Sequence, residues 1–343
     1  MKRRLQNKIA ESSVTLPVAC GLATVLWWLP QGTFSTDYVL GWVVCAVMTY
    51  IFIEMNAVNS LLRIRSRMIS SLFLLVMTAC GFLHPFQTGL LVSLAVLIAL
   101  FFLFKTYDVD NPQLPTFHAY LCFSLGSFAW PPLLLLLPLM LWNQGVFMRS
   151  LRPKTFGAAI LGLLLPYMFL WGFQCLQAFL AALPAFQDQK ISLLAFLPEE
   201  RASFPLVFSA DSLFFADFFN FTAFPRKEDF LSYVAFPPTR EVSNCVFLFF
   251  LGLTGLIHYI RKSYDDKINV RMKYYSLLTF QVATTMWLVL QPKHFCYIFP
   301  VLLVTTVPAA AHFITFTRTF LTNAWCFILT IALITLIVQS QMF

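Results

Sequence analysis

Long apolar runs separated by short polar stretches recur along the whole chain. The spans drawn from this pattern are 12–30, 38–55, 68–83, 88–104, 116–129, 131–147, 156–182, 244–260, 274–290, 296–313 and 322–340. A helix rising about 1.5 Å per residue needs about 20 apolar residues to cross a hydrocarbon layer about 30 Å thick. Only helices or closed barrels satisfy their backbone groups there. The pattern therefore predicts an all-α, polytopic integral membrane protein of about eleven transmembrane helices. It divides the chain into an N-terminal transmembrane bundle over 1–186, a polar segment over 187–243 and a C-terminal transmembrane bundle over 244–343.

The polar positions set the threading. Arg63, Arg65 and Arg67 form one basic group, Arg149, Arg152 and Lys154 a second, and Arg261, Lys262, Lys267, Arg271 and Lys273 a third. With a cytoplasmic N-terminus, alternate crossings put all three on one side, which then holds 17 of the 23 Lys and Arg in all. This agrees with the positive-inside rule. The parity holds only if 116–147 crosses twice. Trp130-Pro131-Pro132 supplies the break, because consecutive prolines remove amide donors and stop a helix. A hairpin of two short helices is expected, facing the protein interior.

Composition narrows the class. Of 343 residues, 59% are hydrophobic and 11% charged, and the mean hydropathy is +0.76. A soluble domain carries roughly 25% charged residues, so the chain lacks the polar groups to hydrate its own surface. The lipid bilayer is its expected partner, and 39 Phe and eight Trp suit that solvent. The net charge of +8 does not point to nucleic acid, since no basic stripe is interleaved with aromatics. The eight cysteines form no CxxC pair and read as small apolar packing residues. Val14 to Leu29 is followed by no small-x-small cleavage site, so an uncleaved first helix is expected.

Nucleotide and hydrolase signatures are missing, and no internal repeat is visible, which counts against many transporter architectures. Asp108-Val109-Asp110 is a DxD in a short loop and reads as chance. No metal site or cofactor is expected, because the five histidines do not pair at ligand spacing. Gly157, Ala158 and Gly162 make a small-residue face suited to close helix packing.

Candidate polar residues fall in three places. His84, His294, Lys293 and Gln87 join Asp37 at expected outer turns, either lining an outward cavity or simply solvated there. Glu54 is an acid in a still-apolar run. Its spacing to Asn59 and Arg63 allows an internal salt link, the alternative being a polar site on the cytoplasmic side. The long segment 187–243, expected outside, carries Glu199, Glu200, Asp211 and Asp217 and a dense run of Phe from Phe204 to Phe224. Leu213 to Phe224 is too short to span and reads as an interfacial helix, or as rings packed on the loops below. Asn220-Phe221-Thr222 is a formal glycosylation acceptor of little weight.

The order of these parts resembles a known arrangement. From Asn59 to Phe173 the chain carries Arg63-Ile64-Arg65, Phe82-Leu83-His84-Pro85, the hairpin Leu125 to Pro132, the basic linker Arg149 to Lys154, and Gly162-Leu163-Leu164-Leu165-Pro166-Tyr167. With Ala309-Ala310-Ala311-His312-Phe313 to Asn323, it resembles an uncharacterised family of polytopic inner-membrane proteins of Bacteroidetes-type bacteria. The hairpin and basic linker are also similar to multi-spanning glycosyltransferases that use polyprenyl-phosphate sugars. Those enzymes place an acidic catalytic residue in a long first outer loop. Here that loop is only Gln31 to Asp37, with Asp37 its sole acid.

The resemblance implies an inner-membrane protein of cell-envelope biogenesis, and the charge parity puts its N-terminus in the cytoplasm. Its partner would be a lipid-linked substrate or an envelope protein. The enzymatic expectation is lipid-linked glycosyl transfer at the outer face, with Asp37 as base and Glu199, Glu200, Asp211 or Asp217 as partners. The rivals are a non-catalytic assembly subunit and, third, a transporter or lipid flippase coupled through Glu54.

Overall fold

The computed structural model describes residues 12, 14–29, 35–64, 66–182, 239–317 and 319–341. Every regular element among them is helical. Eleven α-helices follow in order: α1 (Thr15–Trp28), α2 (Thr36–Asn59), α3 (Met68–Ala79), α4 (Thr88–Phe104), α5 (Gln113–Ala129), α6 (Leu137–Val146), α7 (Pro153–Ala182), α8 (Thr239–Lys262), α9 (Ile268–Leu290), α10 (Phe295–Phe316) and α11 (Phe320–Gln341). Each expected span overlaps one of them, although 131–136 is a 3-10 helix and α3 stops at Ala79, short of the expected 83. Five stretches are long and apolar enough to cross a membrane: α2, Pro153–Leu176 of α7, Glu241–Asp265, α10 and α11. α1, α3, α4 and the Pro131–Val146 segment are apolar but shorter.

The Pro131-Pro132 break makes the expected hairpin. Trp130 swings to an extended conformation after α5, and Pro131–Leu136 winds as a 3-10 helix into α6. The Tyr120 hydroxyl donates to Gln144 Oε1 at 2.8 Å, and Gln144 Nε2 reaches Thr116 Oγ1 at 3.4 Å, so the two arms run antiparallel. Beyond them, Ser150 donates to Thr106 at 3.0 Å and Arg152 Nη1 donates to the Asp110 carbonyl at 3.2 Å. The basic linker thus lies at the same end of the bundle as the 105–112 turn.

α10 is the axis of the core. It is apolar on all sides, which suits a helix enclosed by others. In fact 94% of its apolar stretch is buried, against 17% for α7 and 22% for α11. It packs on α3, α4, α8 and α9, so helices from both sequence-defined bundles share one core. Small residues permit the approach: a Cβ on Gly255 of α8 would lie 2.9 Å from backbone atoms of Ala309 and Ala310. On the expected small-residue face of α7, Gly162 meets the Phe117 carbonyl, where a Cβ would come to 2.5 Å, whereas Gly157 faces open space. Phe169, Trp171, Phe327 and Ile331 project outward from α7 and α11. So large an apolar exterior fits a membrane-embedded protein.

The helix turns sort into two ends. One end holds the turns around 60–67, 105–112, 147–152 and 263–267 and carries Arg63, Arg67, Lys105, Arg149, Arg152 and Lys267. The other holds the turns around 80–87, Trp130 and 291–294, and it is built from rings. Trp130 stacks on Trp287 and Tyr297 at 4.8 and 5.2 Å, and Trp27 stacks on His84 at 4.0 Å.

Candidate functional site

The basic end contains a buried ionic junction. α2 ends at Ser60, which takes a left-handed conformation (φ 49°) and turns the chain. Asn56 holds that turn: its amide donates to the Ser66 carbonyl at 2.7 Å and its Oδ1 accepts from Leu62 N at 3.2 Å. Arg63 is thereby aimed across the bundle at the turn between α8 and α9. Arg63 Nε donates to Asp266 Oδ1, and Arg63 Nη2 lies 3.8 Å from Asp265 Oδ2. From α10, His312 Nε2 sits 3.2 Å from Asp266 Oδ2, close enough for an ion pair although poorly aligned for a hydrogen bond. The Asp266 carboxylate and the His312 ring are fully buried, whereas Arg63 is one-third exposed. Burial alone would raise the Asp266 carboxyl, but His312 and Arg63 outweigh it and hold it below the ordinary carboxylate range.

Aromatic side chains wall this junction. Tyr259 and Tyr274 stack at 4.3 Å and present their edges or faces to His312 at 5.0 and 5.4 Å, and Phe316 lies 4.6 Å from it. The Arg63 guanidinium lies over the Phe316 ring at 4.9 Å. His258 brings a second imidazole within 5.7 Å. His312 Nδ1 is buried without a hydrogen-bond partner. One turn into α9, the buried Lys273 donates to Asn59 Oδ1 at 2.9 Å.

Beside the junction opens a cavity of about 1140 Å³ between the end of α2, the start of α3 and the start of α9. Among the described residues its polar rim holds Arg63, Arg67 and Lys267 against a single acid, Asp265. Its inner wall is apolar, from Phe52, Ile53, Leu62, Ile69 and Val270. Cations above hydrocarbon match an amphiphile with an anionic head, since arginine forks bind phosphate oxygens and apolar walls take a lipid stem.

The residues singled out from sequence are dispersed. Asp37 is exposed in the first turn of α2, at the ring-built end, and its carbonyl accepts from Phe86 N at 3.0 Å. His84, in the turn after α3, is buried beneath Trp27, and burial lowers it to about 4. His294 is partly exposed with its ring 5.6 Å from Trp130, and Lys293 belongs to the same 3-10 turn, Pro292–His294. Gln87 donates to the Phe82 carbonyl at 2.8 Å. Glu54 is half-buried on α2. Its expected partners are engaged elsewhere, Arg63 with Asp265 and Asp266 and Asn59 with Lys273. Glu199, Glu200, Asp211, Asp217, the Phe-rich run and Asn220 lie outside the described residues.

Sequence reasoning passed over Asp266, His312, Tyr259 and Tyr274. The available signal was an acidic pair, Asp265-Asp266, in the most basic turn of the chain, and a histidine in an otherwise apolar helix. Among the described residues no group of three or more His, Cys, Asp or Glu converges as a metal site. Comparison with family models, curated proteins and solved structures finds no match to the chain.

Proposed function

We propose that the protein is a multi-pass protein of a bacterial inner membrane, its N-terminus and basic end in the cytoplasm, that binds a lipid-linked phosphate of cell-envelope biogenesis in the cleft between α2, α3 and α9. The observation that carries this reading is the cleft's pairing of Arg63, Arg67 and Lys267 with an apolar wall. The ligand class is the one that the resemblance implied, but the supporting chemistry lies at the basic end. Glycosyl transfer at the other face would rest on Asp37 as base, with its partner acids and water-excluding rings in 187–243, outside the described residues.

Isothermal titration of the detergent-purified full chain tests this reading with three probes: farnesyl phosphate, inorganic phosphate and farnesol. Binding of farnesyl phosphate at least tenfold tighter than either fragment is expected, because head and tail are both recognised. Arg67→Gln combined with Lys267→Gln should weaken it about a hundredfold or more, since each charge-assisted contact contributes about 1.5 kcal/mol or more. Equal binding of inorganic phosphate would identify a simple anion site, and equal binding of farnesol an apolar groove; either result overturns the reading.

A further inference from the structure

The cleft and the buried ionic junction share one side chain. Arg63 lines the cleft and also donates to Asp266, whose other oxygen faces His312. The guanidinium is one-third exposed while carboxylate and imidazole are sealed. Charge introduced at the cleft is therefore felt at a site that water does not screen, where electrostatic interactions are strongest.

We infer that His312 is a proton-binding site coupled through Arg63 to the cleft, so that an anion entering the cleft is accompanied by a proton taken up on the His312–Asp266 pair. This rests on the cleft being an anion site, as proposed above. The junction balances one guanidinium against Asp266 and the nearby Asp265. A phosphate drawing on Arg63 adds negative charge beside Asp266 and removes part of its compensation. The restoring step is protonation of the imidazole that already faces Asp266 Oδ2, with the carboxylate staying ionised. The proton comes from solvent and rests on a ring nitrogen, so the entering charge is partly neutralised without moving the protein's other charges.

The surrounding groups support one proton rather than several. From α8 come His258, 5.7 Å from His312, the Tyr259 hydroxyl and, further along, Lys262; a second cation on His258 would be repelled by the first. From α9 come Tyr274, whose hydroxyl reaches the Pro308 carbonyl at 3.5 Å, and Tyr275, whose hydroxyl donates to Ser263 at 3.1 Å. Lys273 is held by Asn59, and Lys267 sits on the cleft rim. His312 is the one imidazole of the described residues that faces a buried carboxylate.

The test is calorimetric and begins with the unmodified protein. Farnesyl phosphate is titrated between pH 7 and 8, where its own second ionisation, near pH 6, is nearly complete. Uptake of one proton makes the affinity fall with rising pH, by as much as tenfold per pH unit, and pairs of buffers with different ionisation heats count the protons directly. His312→Gln should bind with a proton count lower than wild type by about half to one. His258→Gln should keep the wild-type count. Binding that is flat or tightens from pH 7 to 8 with no proton uptake overturns the coupling while leaving the anion site intact, and so does His312→Gln with an undiminished count. Failure of farnesyl phosphate to bind at any pH overturns the anion site and the coupling together.

Discussion

The two ends of the bundle solve the same problem, closing helix turns at a membrane boundary, with different chemistry. At one end rings close it: Trp130 lies between Trp287 and Tyr297, and His84 lies flat against Trp27. At the other, a buried carboxylate is held between a guanidinium and an imidazole, with a cationic cleft beside it. Stacked rings contribute by area and shape and ask nothing of pH or salt. A buried ion pair carries a large desolvation cost, and it is stable only while each partner is present. The first kind of closure has no such cost, and in the proposed reading the second belongs to a ligand site.

Removing one partner is the hardest test of that contrast. Asp266→Asn should lower stability by about 3–5 kcal/mol, because it leaves Arg63 and His312 facing a neutral amide in a buried place. Asp265→Asn, one residue away and partly exposed, should change it by less than about 1 kcal/mol. Thermal unfolding in detergent, followed by tryptophan fluorescence, distinguishes the two. Equal and small effects would reduce the junction to a surface pair.

A smaller effect separates the ends by pH. His84 titrates near 4 in the folded protein because burial disfavours its charge, against about 6.5 in an unfolded chain. Its contribution to stability is therefore complete above pH 6.5 and lost as pH falls towards 4, about 3 kcal/mol in all. The depressed Asp266 has the same sign in a lower window: its contribution is present above the unfolded carboxylate value near 4 and disappears as pH falls further. Acid unfolding of wild type should thus begin between pH 6.5 and 4, and His84→Gln should flatten that part of the curve. A curve that His84→Gln leaves unchanged would mean that the ring-built end carries no such penalty.

Much of this architecture is legible in the sequence, and the reason is physical. Apolar run length fixes where helices form, and the two prolines after Trp130 place the hairpin, confirmed by the Tyr120–Gln144 and Arg152–Asp110 contacts. Basic residues cluster at one end because charge near a bilayer controls threading. The candidate site was far less legible. Arg63, Asp266 and His312 come from three separate elements, and only the crossing of α10 beneath two turns brings them together. Arg63 reads locally as a partner for Glu54, at helical spacing, because spacing rules see one helix at a time. His312 reads as one apolar-helix histidine among others until Asp266 stands 3.2 Å away.

The central claim is that the basic end holds the ligand. Native mass spectrometry of the full chain purified in mild detergent from bacterial membranes tests it most directly. The expected result is a retained lipid whose fragmentation releases phosphate, present on wild type and lost from the Arg67→Gln, Lys267→Gln double variant while its unfolding temperature stays within a few degrees. A phosphate-bearing lipid retained equally by the double variant, or a wild-type protein that carries none, would contradict the account.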